Sequence, residues 1–460
     1  MKPLLLLEMN EIPWRVIDLY REAPGYPHIR RFFAESKTYT TVAVDSGELS
    51  PWVTWPTFHR GLSNEAHGVY NLGQDPSTFK GIPIWEEYRN LGLNIGVCGS
   101  LQSWPSRDPG AGGFYIPDTF AHDAQCIPAY VEPFQRFNLG QVKRNGRVVQ
   151  SQSFGKGEAL RLLTSFPRLG LRMSTLWSVV CQLWAERSNK SRLARRSIFQ
   201  TVLFWDIFKS LYNPKRPPAF TSFFTNHVAG VMHRYWHHVF PSDFGDKYAR
   251  EDKVHKATMD FAMKYVDHML GDAMRFQLKN PEIIVVFASS MGQDAVHRDK
   301  HEGFEASIPD LDQMLVALGV DKNVYSPLLA MVPQVAMEIL NPAARAEVRA
   351  KLEGCRTYSG AVLFSVQEIG SSLSVTVETP RRDDMQQGGF TSFNGAWCTW
   401  EGAGIAMNPV EPGTAYHIPE GSLAVRAIGS AAMDDRTFVP ADSVKGLLLE
   451  WAELVPAPLH

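Results

Sequence analysis

The sequence predicts an α/β protein with a mostly parallel central sheet sandwiched between helices. Two continuous apolar runs, Leu4–Leu7 and Ile283–Ala288, have the composition of central strands that are buried on both faces. Strand-like and helix-like segments alternate over residues 1–100, and such alternation is typical of a parallel sheet covered by helices. With 460 residues, 44% of them hydrophobic, the chain is long enough for one large core with insertions.

Changes in composition along the chain predict a core and two insertions. The core is assigned to residues 1–130, 217–330 and 389–460. Residues 131–216 are predicted to form a basic helical cap, and residues 331–388 a small α+β insert.

Charge and cysteine content limit the class of protein. A net charge of −2 argues against a nucleic-acid-binding protein. The five scattered cysteines show no metal-ligand spacing, which favours free thiols in a reducing compartment. Glu8 ends the short N-terminal apolar run, so we interpret that run as a buried strand and not as a signal peptide. We therefore expect a cytoplasmic protein that could also contact a membrane peripherally. The sequence does not predict the oligomeric state.

A basic and aromatic block covers residues 157–212. Nine Lys and Arg residues stand against three acidic ones, a net charge of about +6. Trp177, Trp184, Phe199 and Phe204 lie among them. Three interpretations remain open, namely a cap that admits an anionic substrate, a contact with an anionic membrane, and an ordinary solvated helical face.

The segment Asp45–Tyr70 carries the sequence Thr54-Trp55-Pro56. We predict that a helix begins at Thr54, because proline is tolerated in a first helical turn. A hydroxyl at a helix N-terminus faces unpaired N–H groups, where a phosphate or sulfate binds and where a threonine nucleophile could attack it. The alternative is an ordinary N-cap threonine.

Thr54-Trp55-Pro56 and the landmarks around it resemble the alkaline phosphatase superfamily, nearest the type I phosphodiesterase/nucleotide pyrophosphatase group. The resemblance covers residues 1–100 and 218–430. In that family the first strand ends in a metal-binding Asp, whose place Asn10 takes here. The nucleophile stands in a Thr-x-Pro pattern, here at Thr54, which leads to a His-Gly pair, here at His67.

The later landmarks show which of the family's metal ligands this sequence retains. The family's Asp-x-x-x-His appears as Ala229 and His233, and its Asp-His-Gly begins at Ser290, with Met291 in the place of the histidine. The last family histidine matches His417. Because the two ions of this family need most of these ligands, we predict a degenerate or absent two-metal site. No cofactor is assigned, although His233 and His417 with a rescued carboxylate could hold one ion, zinc or manganese.

The resemblance implies an enzyme acting on a phosphate, sulfate or sugar-phosphate ester, and the missing ligands favour transfer in glycan or lipid metabolism over hydrolysis. The predicted catalytic residues are Thr54, His233 and His417. The predicted substrate-binding residues are Asn10, Glu8, Asn226, Ser290 and His59. We expect these residues to converge on one pocket for an anionic small molecule, sugar phosphate or lipid phosphate, with no nucleic acid bound.

Three other interpretations stay open. The first is a non-catalytic binding protein that keeps the anion pocket. The second is an intact metal-dependent phosphodiesterase with ligands relocated to Glu8, Asn226 or Asp294. The third is acid–base catalysis without ions. The groups considered for it include His227, Glu48, His297 and His301.

Overall fold

The computed structural model describes residues 1–47, 49–144, 165–245, 253–296, 304–330, 334–369, 371–409 and 414–454. The strands in these residues are Leu4–Met9 (β1), Lys37–Val42 (β2), Ile95–Cys98 (β3), Phe114–Ile116 (β4), Phe220–Thr225 (β5), Ile284–Ala288 (β6), Gly292–Ala295 (β7), Phe304–Ser307 (β8), Tyr325–Leu328 (β9), Gln334–Ile339 (β10), Phe364–Ile369 (β11), Ser372–Val377 (β12), Gly389–Thr391 (β13), Trp397–Thr399 (β14), Ala406–Pro409 (β15), Ala415–Ile418 (β16), Leu423–Arg426 (β17) and Met433–Pro440 (β18).

The α-helices in the same residues are Trp14–Glu22 (α1), Pro27–Ala34 (α2), Pro51–Arg60 (α3), Asn64–His67 (α4), Ile84–Asn90 (α5), Glu132–Arg144 (α6), Met173–Ser188 (α7), Arg196–Leu211 (α8), His227–Val239 (α9), Lys253–Lys279 (α10), Leu311–Ala317 (α11), Arg345–Glu353 (α12), Arg382–Gln386 (α13) and Val444–Trp451 (α14). None of these described helices is long and apolar enough to cross a bilayer. All five cysteines are free thiols.

The central sheet has eight strands in the order β18-β2-β17-β6-β1-β5-β3-β4. Strand β1 lies between β6 and β5 and is parallel to both. Strand β17 is antiparallel to its neighbours β2 and β6, and the remaining adjacent pairs are parallel. The predicted mostly parallel α/β sheet is therefore confirmed.

Helices cover both faces of this sheet. Leu5 and Leu7 of β1 point into a core built with α1, α2, α8, α9 and α10. Leu4 and Leu6 point into a second core built with α3, α5 and α14. Because successive side chains of a strand alternate between faces, a strand buried on both sides is mostly apolar, which is why β1 begins with four consecutive leucines before Glu8.

The predicted cap and the predicted insert differ in how they pack. Helix α8, the second half of the basic block, covers the sheet, because Phe204 and Phe208 pack on Phe223 of β5. Residues 145–164 of the predicted cap lie outside the described part of the chain. Strands β11, β12, β10 and β9 form a separate antiparallel sheet, whose own hydrophobic core draws on residues from Ala306 to Ile405.

Candidate functional site

The carboxyl ends of β1, β5 and β6 meet at one edge of the central sheet, where open α/β proteins bind ligands. Asn10 and Glu11 follow β1, Asn226 follows β5, and Ser290 lies beyond β6. Glu11 is 2% exposed and has a φ of 61°. This left-handed conformation is uncommon for a residue other than glycine, and such outliers are concentrated at functional sites.

Two histidines face the Glu11 carboxylate. His233 Nε2, on α9, lies 3.1 Å from Glu11 Oε2, and His417 Nε2, on β16, lies 3.4 Å from the same oxygen. Ligand atoms of the three residues all lie within 4.8 Å of one another. One carboxylate and two imidazoles therefore converge from three separate elements.

Backbone carbonyls fix the orientation of both imidazole rings. His233 Nδ1 lies 2.9 Å from Ala415 O, and His417 Nδ1 lies 2.7 Å from Leu49 O. A carbonyl only accepts a hydrogen bond, so each Nδ1 must be the protonated nitrogen. Each Nε2 is thereby directed at Glu11, and such carbonyl-anchored rings are usual for histidines that ligate metals.

The Glu11 carboxylate is held in its charged form. Burial raises the pKa of Glu11, but the charge of His417 and hydrogen bonds from His233 and His417 outweigh it, so the pKa lies well below its usual range. Asn10 Nδ2 donates to Glu11 Oε1 over 2.6 Å, and Gln293 Nε2 donates to Oε2. Because amides are neutral, the negative charge can be balanced only by protonated imidazoles or by a bound cation.

Glu11 was not among the predicted site residues. The predicted site lacked a carboxylate at Ala229, on α9, and Glu11 supplies one from the end of β1 instead. Its position directly after Asn10, beyond a buried strand, was the available signal. The family's metal-binding Asp was matched with Asn10, and Glu11 was therefore not assigned to the site.

Thr54 is not at the start of its helix, which corrects the prediction. Helix α3 begins at Pro51 with Ser50 as its N-cap, because proline favours the first helical position. The Thr54 N–H donates to Ser50 O over 3.0 Å. The Thr54 hydroxyl is fully buried, and its Oγ1 lies 2.8 Å from Ser290 Oγ, so it faces a second hydroxyl.

Asn10 connects the Glu11 cluster with α3. Its Oδ1 accepts from Trp55 Nε1 over 2.8 Å, and its Nδ2 also donates to Asn226 Oδ1 over 2.6 Å. The structure thus brings Asn10, Asn226, His233 and His417 together in one hydrogen-bonded network around Glu11. Thr54, next to Trp55 in the chain, and its partner Ser290 adjoin this network.

Glu8 and His59 form a separate buried pair between β1 and α3. His59 Nε2 lies 2.9 Å from Glu8 Oε1, which also accepts from Ser100 Oγ over 3.1 Å. The His59 ring stacks on Trp55. Glu8 is 0% exposed and His59 is 1% exposed, so in this structure the pair joins a strand to a helix and presents nothing to solvent.

The remaining sequence candidates lie elsewhere. His67 Nδ1 accepts from the Val69 N–H, so Nε2 donates to Thr57 Oγ1 over 2.9 Å and secures the turn after α3. Asp294 pairs with Arg15 over 3.0 Å near the surface, and His227 bonds to Thr225. Three candidates fall outside the described residues, namely Glu48, His297 and His301.

No protein-family model matches the sequence, and no curated protein matches it. Among solved structures, murine ectonucleotide pyrophosphatase/phosphodiesterase 5 is similar with a TM-score of 0.43 and 13% identity, covering 100% of this chain and 97% of that one. An inactive form of the murine protein in complex with AMP is similar with a TM-score of 0.45 and 12% identity, at the same coverage. The human protein is similar with a TM-score of 0.46 and 11% identity, also at the same coverage. At this level the likeness says nothing about the activity of the present chain.

Proposed function

We propose that the chain binds one divalent cation between Glu11, His233 and His417 and uses this centre to bind a phosphate, sulfate or sugar-phosphate ester. The observation that carries the proposal is the convergence of two carbonyl-anchored Nε2 atoms on one buried carboxylate oxygen. Two imidazoles and one carboxylate form a usual catalytic zinc set, which leaves a coordination position for a ligand. Manganese can bind the same nitrogen and oxygen donors, with lower affinity than zinc.

A divalent ion at this centre would offset the charge of an anionic ester and polarise one of its oxygens. The protein's own groups define the approach to it. His233 is partly exposed and Asn226 is exposed. Because Asn226 Oδ1 accepts from Asn10, its side-chain N–H groups are the ones turned away from Asn10, and N–H donors suit an anionic ligand.

The family-like second metal position fits poorly here, and we propose that it is degenerate. Its donors would be Asn10, Thr54, Ser290 and Met291, and none of them carries a charge. Thr54 and Ser290 are bonded to each other, and Met291 is a buried thioether, a soft donor unsuited to a hard cation. A single-ion centre with a reaction such as transfer to a sugar or lipid hydroxyl fits this donor set better than the two-ion clamp.

Metal content tests the proposal directly. We expect purified protein to hold one equivalent of zinc or manganese, measured by elemental analysis, and Glu11→Gln and His417→Ala to lose it. Asp294→Asn is the matched control, because it removes a neighbouring surface carboxylate that lies outside the cluster. Two tightly bound ions, or equal metal content in Glu11→Gln and wild type, would contradict the proposal.

The burial of Thr54 favours a second candidate, a non-catalytic protein that keeps the anion pocket. A nucleophile must reach its substrate, and Thr54 is 0% exposed with its hydroxyl paired. Turnover of an activated phosphodiester by metal-loaded protein separates the two candidates. Anion binding in calorimetry without turnover would support the binding protein, and turnover abolished by Thr54→Ala would restore Thr54 as the predicted nucleophile.

A further inference from the structure

Helix α7 exposes its apolar side chains. Met173 is 78% exposed, Trp177 69% and Trp184 75%. Val180 is also exposed. The spacing of these four residues places them on one stripe of a helix. A contiguous exposed stripe of this kind marks an interaction surface, whereas single exposed apolar residues do not.

The opposite face of α7 is polar and buried, so the usual amphipathic arrangement is inverted. Thr175, Gln182 and Glu186 are the buried residues of this helix. Gln182 Nε2 donates to Glu186 Oε1 over 2.9 Å and to Arg192 O over 2.7 Å. Arg196 Nη2 lies 2.6 Å from Glu186 Oε2. These bonds hold α7 by its polar face and direct the tryptophans outwards.

Positive charge surrounds the apolar stripe. Arg187 and Lys190 are exposed and form no ion pair with any described residue. Arg172, just before α7, is 58% exposed, but its Nε lies 3.7 Å from Asp206 Oδ1, so its charge is partly offset. The only acidic residue of the helix, Glu186, is buried and paired. The surface is therefore apolar and cationic, although the whole chain carries a net charge of −2.

The same side of the molecule carries a shallow hollow of about 380 Å³, lined by Lys190 and Arg234 among others. Arg234 follows His233 in α9. Arg195 and Arg196 add less to this positive surface, because Arg195 is partly buried over the Phe261 ring and the charge of Arg196 is offset by Glu186.

We propose that α7 is an interfacial helix that binds the surface of an anionic phospholipid bilayer. Tryptophan is favoured at the boundary between headgroups and acyl chains, where its apolar ring and polar N–H are both accommodated. Arg and Lys side chains beside the stripe reach lipid phosphates. A protein partner for a purely apolar and cationic surface would need a matching acidic rim, whereas an anionic membrane supplies both properties. The proposal uses none of the residues of the metal cluster.

Vesicle flotation tests the proposal with the full-length protein. We expect it to bind vesicles of phosphatidylcholine with about 30% phosphatidylserine, and to bind pure phosphatidylcholine much less, because basic residues near an anionic surface add attraction. Trp177→Ala with Trp184→Ala should weaken partitioning at least about tenfold, since the protein loses two large rings that membrane binding would bury in the bilayer. Trp397→Ala, which removes a 48% exposed tryptophan on β14, is the matched control.

A second variant isolates the charge. Arg187→Gln with Lys190→Gln should reduce binding to anionic vesicles and make it less sensitive to salt, without changing binding to neutral vesicles. All substituted side chains are exposed, so the melting temperature should stay at the wild-type value, which separates loss of binding from loss of folding.

Three results would overturn the proposal, and the first two concern vesicle binding. They are failure of the wild-type protein to bind anionic vesicles at low salt, and an equal loss in Trp397→Ala. The third is a concentration-dependent dimer in light scattering that the double tryptophan variant abolishes, without vesicle binding, because α7 would then be an interface between two copies of the chain.

Discussion

Glu11 is buried, has a left-handed backbone conformation and contacts two imidazole rings at once. A single left-handed residue of this type costs about 1 kcal/mol or more. Nothing in the local sequence Met9-Asn10-Glu11-Ile12 requires that conformation. The contacts with His233 and His417 compensate for it, and a side chain with no role in the cluster would have no such compensation.

Glu11→Gln should therefore destabilise the protein and the effect should depend on pH. At neutral pH we expect the free energy of unfolding to fall by about 3 kcal/mol, since a buried charge pair loses one partner. The folded-state pKa of Glu11 lies well below its unfolded value of 4.5. Its contribution is thus fully present above that value and is lost as the pH falls through the folded-state pKa.

Urea denaturation of Glu11→Gln and wild type across this pH range measures the difference. Asp294→Asn, at a carboxylate that is 49% exposed, should change the free energy of unfolding by less than about 0.5 kcal/mol. A difference between wild type and Glu11→Gln that stayed constant down to strongly acidic pH would show that Glu11 is not ionised in the folded state.

Among the secondary-structure elements, α3 shows that the sequence predicts the presence of a helix better than it predicts the residue at which the helix begins. Its helix was predicted, but its start was assigned to Thr54 and lies at Pro51. Two prolines, Pro51 and Pro56, each suit a first turn, and only the fold distinguishes them. Strands β1 and β6 were easier to predict, because burial on both faces requires a continuous run of apolar residues.

The predicted role of Thr54 rested on its helical position and on the family resemblance, and the structure offers a different measurable contribution. Thr54→Val keeps the shape of the side chain and removes its bond to Ser290 Oγ. We expect a loss of about 1–2 kcal/mol in the free energy of unfolding, because Ser290 is left buried and unpaired. Adding Ser290→Ala should recover part of that loss, as bonded neighbours are not additive.

A double-mutant cycle by urea denaturation measures this coupling. Thr57→Val is a comparison within the same helix, because it breaks a different buried hydroxyl contact, to His67. Strictly additive effects of Thr54→Val and Ser290→Ala would mean that the two hydroxyls do not bond to each other in solution.

At the scale of the whole molecule, the candidate site depends on residues that no local pattern could bring together. Glu11 follows β1, whereas His233 and His417 lie on α9 and β16. The carbonyls of Leu49 and Ala415 orient the two rings. The sequence indicated both histidines through a family resemblance. It could not indicate the backbone carbonyls, and it did not identify which carboxylate faces the two histidines, because these contacts exist only in the folded arrangement.

Metal removal should affect the stability of the entire chain. An ion that binds only the folded state stabilises it by about 2.7 kcal/mol when its free concentration is a hundred times the dissociation constant. We therefore expect a chelator to lower the melting temperature of wild type, measured by calorimetry, and added zinc to restore it. The melting temperature of Glu11→Gln should not respond to either treatment, and a response equal to that of wild type would place the ion elsewhere.

Strand β17 joins the two halves of the central sheet, since it is the only described strand that contacts both β6 and β2. It is also synthesised after both of the strands that it joins. Until residue 426 has emerged, β6 has one open edge and β2 is detached from the parallel strands, and unpaired strand edges are the usual starting points for aggregation. A nascent chain stalled before β17 should therefore depend on chaperones that a completed chain no longer needs.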